Sequence, residues 1–189
     1  GCLNLHPSLL PRHRGPTPVP HAILEGDNVT GVALMLLDQG MDTGPLIARA
    51  EQALNGTETS DELSETLFKL GAQLLTSNLE PWVDGRLTAE PQDEALATVT
   101  GKLERADGLV DWALSAKSLE RRSRAFTPWP GLFTHWKGKV LKLMEVCVLE
   151  TMPHSDTPPG RVVTHANAET DVAVVTAEGL LGLKRIQLE

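Results

Sequence analysis

The stretch "TGVALMLLD" at residues 30–38 constrains this chain more than any other part of it. It is a near-continuous apolar run bounded by Gly31 and Asp38. A strand with one wet face alternates polar and apolar side chains, whereas an unbroken apolar run reads as a strand covered on both faces. Its neighbours fit that demand. "GCLNL" (1–5) reads as the end of a buried strand, and "LIARAEQAL" (46–54) as another strand. "TPVPHAILEGD" reads as a short helix, with Thr17 as cap, Pro18 in the first turn and Gly26 closing it. Thr59 and Glu62 stand in capping-box spacing at the head of a long helix. Leu63, Leu67, Leu70 and Leu74 then form one apolar face, and "EPWVDG" (80–85) ends the helix. Strands alternating with helices indicate an α/β layer architecture.

The charge divides the chain in two. Residues 1–100 hold 5 Lys+Arg against 14 Asp+Glu, a net of -9, and residues 101–189 hold 12 against 11, a net of +1. A length of 189 residues suffices for two compact domains. Residues 86–100 are polar and aperiodic, which predicts a linker between a first domain at 1–85 and a second at 101–189. The second domain opens with a helix near 115–126, capped by Ser115. Short strands punctuated by turns follow, in "LFTHW-KGK-VLKLMEVCVLE", "PPGRVVTH" and "DVAVV-TAEG-LLGLKRI". That spacing predicts a small barrel.

Several function classes are disfavoured. A net charge of -8 argues against a nucleic-acid footprint over the whole chain. Cys2 and Cys147 are the only cysteines, which is neither a disulfide framework nor a metal cluster, and the expected setting is reducing and cytoplasmic. No window reaches the ~18 apolar residues of a membrane span. His6, His13 and His21 fit no usual ligand spacing on one element, so no metal is expected. His135, His154 and His165 read as surface or turn residues. No signal peptide is visible, although Gly1 is no native start, and the chain is read as a fragment.

Chemistry concentrates where the first strand ends. Strand alternation puts Asn4 and His6 on one face. Asp42 lies in the glycine-rich loop "QGMDTGP" between two later strands. Ligands of open α/β sheets collect beyond the carboxyl ends of strands, where all three residues fall. Each also has a plainer use, in turns or in satisfying the backbone. Ser8 lacks the glycine-flanked elbow of a serine nucleophile. Leu9, Leu10 and Pro11 form a short apolar wall, suited to a flat ligand or to a packed loop core. Arg12, His13 and Arg14 can meet a glutamate tail, meet RNA phosphate or stay solvated. In the second domain Arg121, Arg122, Arg124, Lys137, Lys139, Lys142, Lys184 and Arg185 are candidates for a phosphate-facing surface. Trp129 in "TPWPG" reads as a core or hinge anchor.

Three motifs taken together, "NLHPSLLPRHRGPTPV", "TGVALMLLDQGMDTGPLI" and "RAFTPWPG", resemble the methionyl-tRNA formyltransferase family, and the resemblance runs through the whole chain. It implies the C-terminal half of a Rossmann-like formyltransferase domain followed by an OB-like β-barrel domain, incomplete at its end. It implies Asn4, His6 and Asp42 as the catalytic triad, and Ser8, Leu9, Leu10 and Pro11 as the folate-contacting tract. The co-substrate implied is 10-formyltetrahydrofolate, without a metal, and the partner is initiator methionyl-tRNA, without a membrane or an obligatory protein partner. Other folate-dependent formyltransferases and formyl-folate hydrolases share the Asn-x-His pair, the Ser-Leu-Leu-Pro tract and the aspartate. A non-catalytic RNA-binding relic is the alternative of a different class. The resemblance further implies that the part before Gly1 is missing, so the isolated segment is expected to be inactive.

The implied reaction is acyl transfer, in which charge builds on the formyl oxygen. Asn4 and a ring N–H of His6 are suitable donors to it. Asp42 can orient His6 and favour its charged form, or take the proton from the attacking amine. His6 can return a proton to the leaving N10.

Overall fold

A computed structural model describes residues 1–149, 157–165 and 170–189. The chain divides into two compact units, Gly1–Lys102 and Leu103–Glu189.

In the first unit three strands, β1 (Leu3–His6), β2 (Val29–Leu36) and β3 (Leu46–Ala53), form an antiparallel sheet in the order β1-β2-β3. β2 is buried from Thr30 to Met35, as its apolar run requires. One face of it meets the long helix α2 (Ser60–Val83), where Gly71 brings the helix backbone close to Leu5 and Val32. The other face packs Ala33 and Met35 against Leu10 and Leu46. The short helix α1 (Pro18–Glu25) runs between Thr17 and a left-handed Gly26, whose N–H closes the last turn by donating to Ala22 O and Ile23 O. The α2 start is the expected capping box of Thr59 and Glu62. Leu63 and Leu67 are buried, while Leu70 and Leu74 are half-buried as the helix leaves the sheet.

Residues 86–100, expected as a linker, lie strapped along the first unit. Leu46 and Glu90 exchange backbone hydrogen bonds at 2.8 Å in both directions, Arg14 N–H donates to Thr98 O at 2.8 Å, and Thr100 N–H donates to Arg14 O at 2.7 Å. A polar segment needs no apolar stripe to be held when its backbone finds partners.

The second unit is a curled antiparallel half-barrel of five strands: β4 (Leu132–Trp136), β5 (Lys139–Leu149), β6 (Val162–Thr164), β7 (Val172–Val175) and β8 (Leu180–Leu188). The spatial order is β4-β5-β8-β7-β6. Register shifts between Leu143 and Val146 supply local bends in the long β5–β8 pair. Helix α3 (Ala116–Ala125), capped by the Ser115 hydroxyl, packs on the sheet through Ala116 and Leu119, which cluster with Val110, Leu132, Leu143 and Leu181.

Candidate active site

β1 presents two polar side chains on one face. Asn4 pairs with Met35 and His6 with Ala33, on the side that carries Leu10, while Leu5 turns toward Gly71 of α2. His6 is buried. Its Nε2 lies 2.9 Å from the carbonyl oxygen of His13. A carbonyl oxygen only accepts, so Nε2 carries a hydrogen and Nδ1 is the nitrogen left to face Asp42.

Asp42 does not arrive on the end of a parallel strand. The antiparallel sheet sets the end of β2, at Leu36, beside Leu3. That is about 10 Å along β1 from His6, at the usual rise per residue. The loop from Leu37 to Pro45 spans the gap by folding back. Leu37 N–H donates to Cys2 O at 2.9 Å and Leu36 N–H to Pro45 O at 3.0 Å. The Asp38 carboxylate accepts from Gly40 N–H and from the Thr43 hydroxyl at 2.9 and 2.8 Å. Gly44 lies so close to the Leu36 carbonyl that a Cβ would overlap it. At the crown, Asp42 adopts a left-handed φ of 55°, which short polar residues tolerate better than others.

The Asp42 carboxylate is then shared. Oδ2 accepts the Gly15 N–H at 2.8 Å, and Oδ1 stands 3.6 Å from His6 Nδ1. That separation is an ion-pair distance rather than a hydrogen bond. Gly15 has a φ of 102°, and a Cβ there would sit 2.6 Å from the Thr100 carbonyl. The position therefore needs glycine twice over, for conformation and for space. Asn4, His6 and Asp42 line one open cleft of about 410 Å³, walled by apolar groups of Pro7, Pro16, Pro18 and Met41.

The Ser8–Pro11 tract lies elsewhere. Ser8 is buried, with its hydroxyl donating to Arg12 O at 2.6 Å, and Leu10 is fully buried in the core. Leu9 reaches the backbone of Gly31 in β2. Pro11 lines a second cavity of about 650 Å³, together with Arg49 and Arg86. The cleft holding Asn4, His6 and Asp42 is not lined by any of these four residues.

The basic run 12–14 finds its partners inside the first unit. Arg12 donates to both oxygens of Asp27, at 3.0 and 2.6 Å, and His13 Nε2 meets Asp27 at 2.8 Å. Burial holds the His13 imidazole below its ordinary pKa, and the Arg12 charge adds to that, outweighing the bond to Asp27. Burial alone would raise the Asp27 carboxyl, but the hydrogen bonds from Arg12 and His13 hold it below its usual range. Arg14 is buried and forks onto Gln92 and Glu94, and its bond to Glu94 raises its pKa. Sequence reasoning missed Gly15 and Gln92. The "RGP" triplet marks a turn at Gly15, but Gln92 stands in an aperiodic polar segment that carries no signal.

In the second unit several candidate phosphate-facing cations are paired within the chain. Arg124 meets Glu120 at 2.6 Å, Arg185 meets Glu145 at 2.7 Å, and Lys142 meets Glu189. Lys137 lies 4.5 Å over the Trp136 ring. Trp129 is 54% exposed, so the core half of the expectation for it, core or hinge anchor, is corrected. Leu132, not Trp129, enters the core. His135 is exposed and His165 half-buried, while His154 lies outside the described residues. Among the described residues no three His, Cys, Asp or Glu converge to hold a metal ion, and no helix is long and apolar enough to cross a membrane.

Residues 1–79 match the Formyl transferase family, and residues 102–189 match the Formyl transferase, C-terminal domain. A relative from Roseiflexus castenholzii, named methionyl-tRNA formyltransferase, is 43% identical over 187 residues, covering 99% of this chain and 58% of its own. The chain thus spans little more than half the length of the curated relatives it matches. HypX from Aquifex aeolicus in complex with tetrahydrofolic acid superposes with a TM-score of 0.71 at 22% identity, over 99% of this chain and 32% of that one. An N-formyltransferase from Helicobacter canadensis, in complex with folinic acid and dTDP-3-aminofucose, gives 0.74 at 16% identity, over 97% of this chain and 66% of that one. At such identities the two structures speak for the fold alone. The sequence matches speak for more: the chain belongs to the formyltransferase family, with residues matching both that family's formyl transferase domain and its C-terminal domain.

Proposed function

We propose that the complete protein transfers a formyl group from 10-formyltetrahydrofolate to the α-amino group of initiator methionyl-tRNA. The observation that carries the reading is the buried His6, fixed through Nε2 and facing the Asp42 carboxylate with Nδ1, in one cleft with Asn4. The names of relatives at 43% identity support the choice of acceptor. The cleft fits a folate. Its proline and methionine walls suit a flat ring system, and Asn4, His6 and Asp42 line the same cleft. The folate supplies an activated formyl group on N10.

The residues divide the work as their placement suggests. The Asn4 amide donates to the formyl oxygen as charge develops there, the kind of contact whose loss costs roughly 10²–10³ in rate. His6 takes the proton that the attacking amine sheds, on Nδ1, since Nε2 is committed to the His13 carbonyl. Asp42 compensates the resulting ring charge from 3.6 Å. Nδ1 then gives the same proton to N10, so that one C–N bond forms and one breaks with no net change at the enzyme. The Ser8–Pro11 tract serves the folate site from behind. Leu10 anchors the turn in the core and Ser8 ties it to Arg12, which holds Pro7 in the cleft wall.

Formyl transfer by the complete protein, assayed with charged initiator tRNA and with glycinamide ribonucleotide in parallel, tests the reading. Turnover on the charged tRNA alone is expected. Turnover on glycinamide ribonucleotide alone would overturn the choice of acceptor.

A further inference from the structure

We infer that Gln92 is a positioning residue for Asp42, holding the loop that presents its carboxylate to His6. The inference rests on the proposed role of Asp42.

Every hydrogen-bonding group of the Gln92 amide is used. Nε2 donates to Asp42 O at 2.8 Å and to Gly44 O at 2.7 Å. Oε1 accepts from Arg14 Nε at 3.0 Å and from Arg14 Nη2 at 2.9 Å. Two donors on one atom and an acceptor on the other is what an amide has and a carboxylate lacks. Asp42 is thereby gripped at both ends. Gln92 holds its main-chain carbonyl, and the Gly15 N–H holds its carboxylate. The two grips are joined through Arg14, which is next to Gly15 in sequence and bonded to Gln92 in space. Arg14 is in turn fixed by Glu94, two residues beyond Gln92. A left-handed Asp42 persists only when its surroundings over-determine it. Within the loop the side-chain bonds run through the exposed Asp38, and Gln92 adds a half-buried contact to the crown beside that of the Gly15 N–H.

A misplacement of about 1 Å in a catalytic group can cost about 100-fold in rate. In the complete protein, Gln92→Leu is expected to lower kcat about 10- to 100-fold, with KM for the formyl donor changed less than about threefold. Gln92→Glu keeps the length and the Arg14 contact but sets a carboxylate against two carbonyls. It is expected to fold and to lose activity similarly, which guards against a Leu variant that does not fold. The decisive readout is the double variant. Because Gln92 acts through Asp42, Gln92→Leu added to Asp42→Ala should cost less than about twofold more. A full additional loss in that background, or an unchanged kcat in both single variants, would overturn the inference. A parental rate for Asp42→Ala alone would remove the role of Asp42, and this inference with it.

Discussion

The imidazole of His6 is oriented by the main-chain carbonyl of His13, seven residues later, across 2.9 Å. That carbonyl points at Nε2 because His13 itself is left-handed, with a φ of 61°. Two contacts keep it there. Its N–H donates to the Thr98 hydroxyl at 2.8 Å, and its own Nε2 meets Asp27 at 2.8 Å. His6 and Asp42 are thus both set by a non-glycine residue with positive φ, one a neighbour and the other Asp42 itself. Such residues are uncommon and gather where a site needs them.

A substitution at residue 13 should therefore act through backbone shape. Asn tolerates the left-handed region, whereas a β-branched residue resists it. His13→Val is expected to lower kcat at least about tenfold and to cost about 1–3 kcal/mol of stability. His13→Asn should retain more than about half of the rate, because its carbonyl stays on Nε2. Formylation kinetics and urea unfolding of the complete protein check both, and equal losses in the two variants would refute the backbone account.

Asp42→Ala is expected to reduce formylation of methionyl-tRNA by about two to four orders of magnitude. The fold should survive, because the carboxylate is half-buried at a loop crown and belongs to no part of the apolar core. Steady-state kinetics beside a thermal melt separate the two effects. A near-parental rate would remove Asp42 from the chemistry.

The Asp27 cluster predicts a pH dependence of stability with a definite sign. His13 has a folded pKa below its ordinary 6.5, chiefly through burial. Below that pH the unfolded chain binds more protons than the folded one, so stability rises with pH through the window and is lost on acidification. Asp27, held below its ordinary 3.8 by Arg12 and His13 against its burial, adds a second loss at lower pH. Between pH 7.5 and 5.5 the parent should lose more stability than His13→Asn, which lacks the imidazole. Urea midpoints at the two pH values check this, and identical losses would contradict it.

The parts of this architecture legible in the sequence are those written in neighbouring residues. The unbroken run of β2 announces cover on both faces, and Ala33 and Val32 do look opposite ways, to Leu10 and to α2. Thr59 and Glu62 announce a helix start because the capping box is a spacing of three. Asn4 and His6 share a face because a strand alternates. What stayed hidden depends on distant pairs. Gln92 meets carbonyls 50 and 48 residues away, and no local pattern encodes that. Leu10 illustrates a different limit. An apolar residue after a strand serves a pocket wall or a core equally well as sequence, and only its contact with Ala33 and Met35 decides. Trp129 is the converse, a large ring left exposed because Leu132 fills the core instead.

The second unit can be tested through salt. If it faces tRNA phosphates, its contribution to binding comes from counterion release, and each lost phosphate contact should lower the slope of log K against log salt by about 1. The choice of residues matters. Lys142 is already paired with Glu189 and Arg124 with Glu120, so neutralising either also frees a carboxylate and confuses the charge change. Lys137 and Lys139 flank the exposed β4–β5 turn, where Lys137 takes a left-handed φ of 49° beside Gly138. Lys139→Gln together with Lys137→Asn, whose new side chain tolerates that conformation, should remove two charges with little effect on the fold. The double variant is expected to flatten the slope by about 2 and to leave binding of the formyl donor unaltered. An unchanged slope would take this turn out of the tRNA interface.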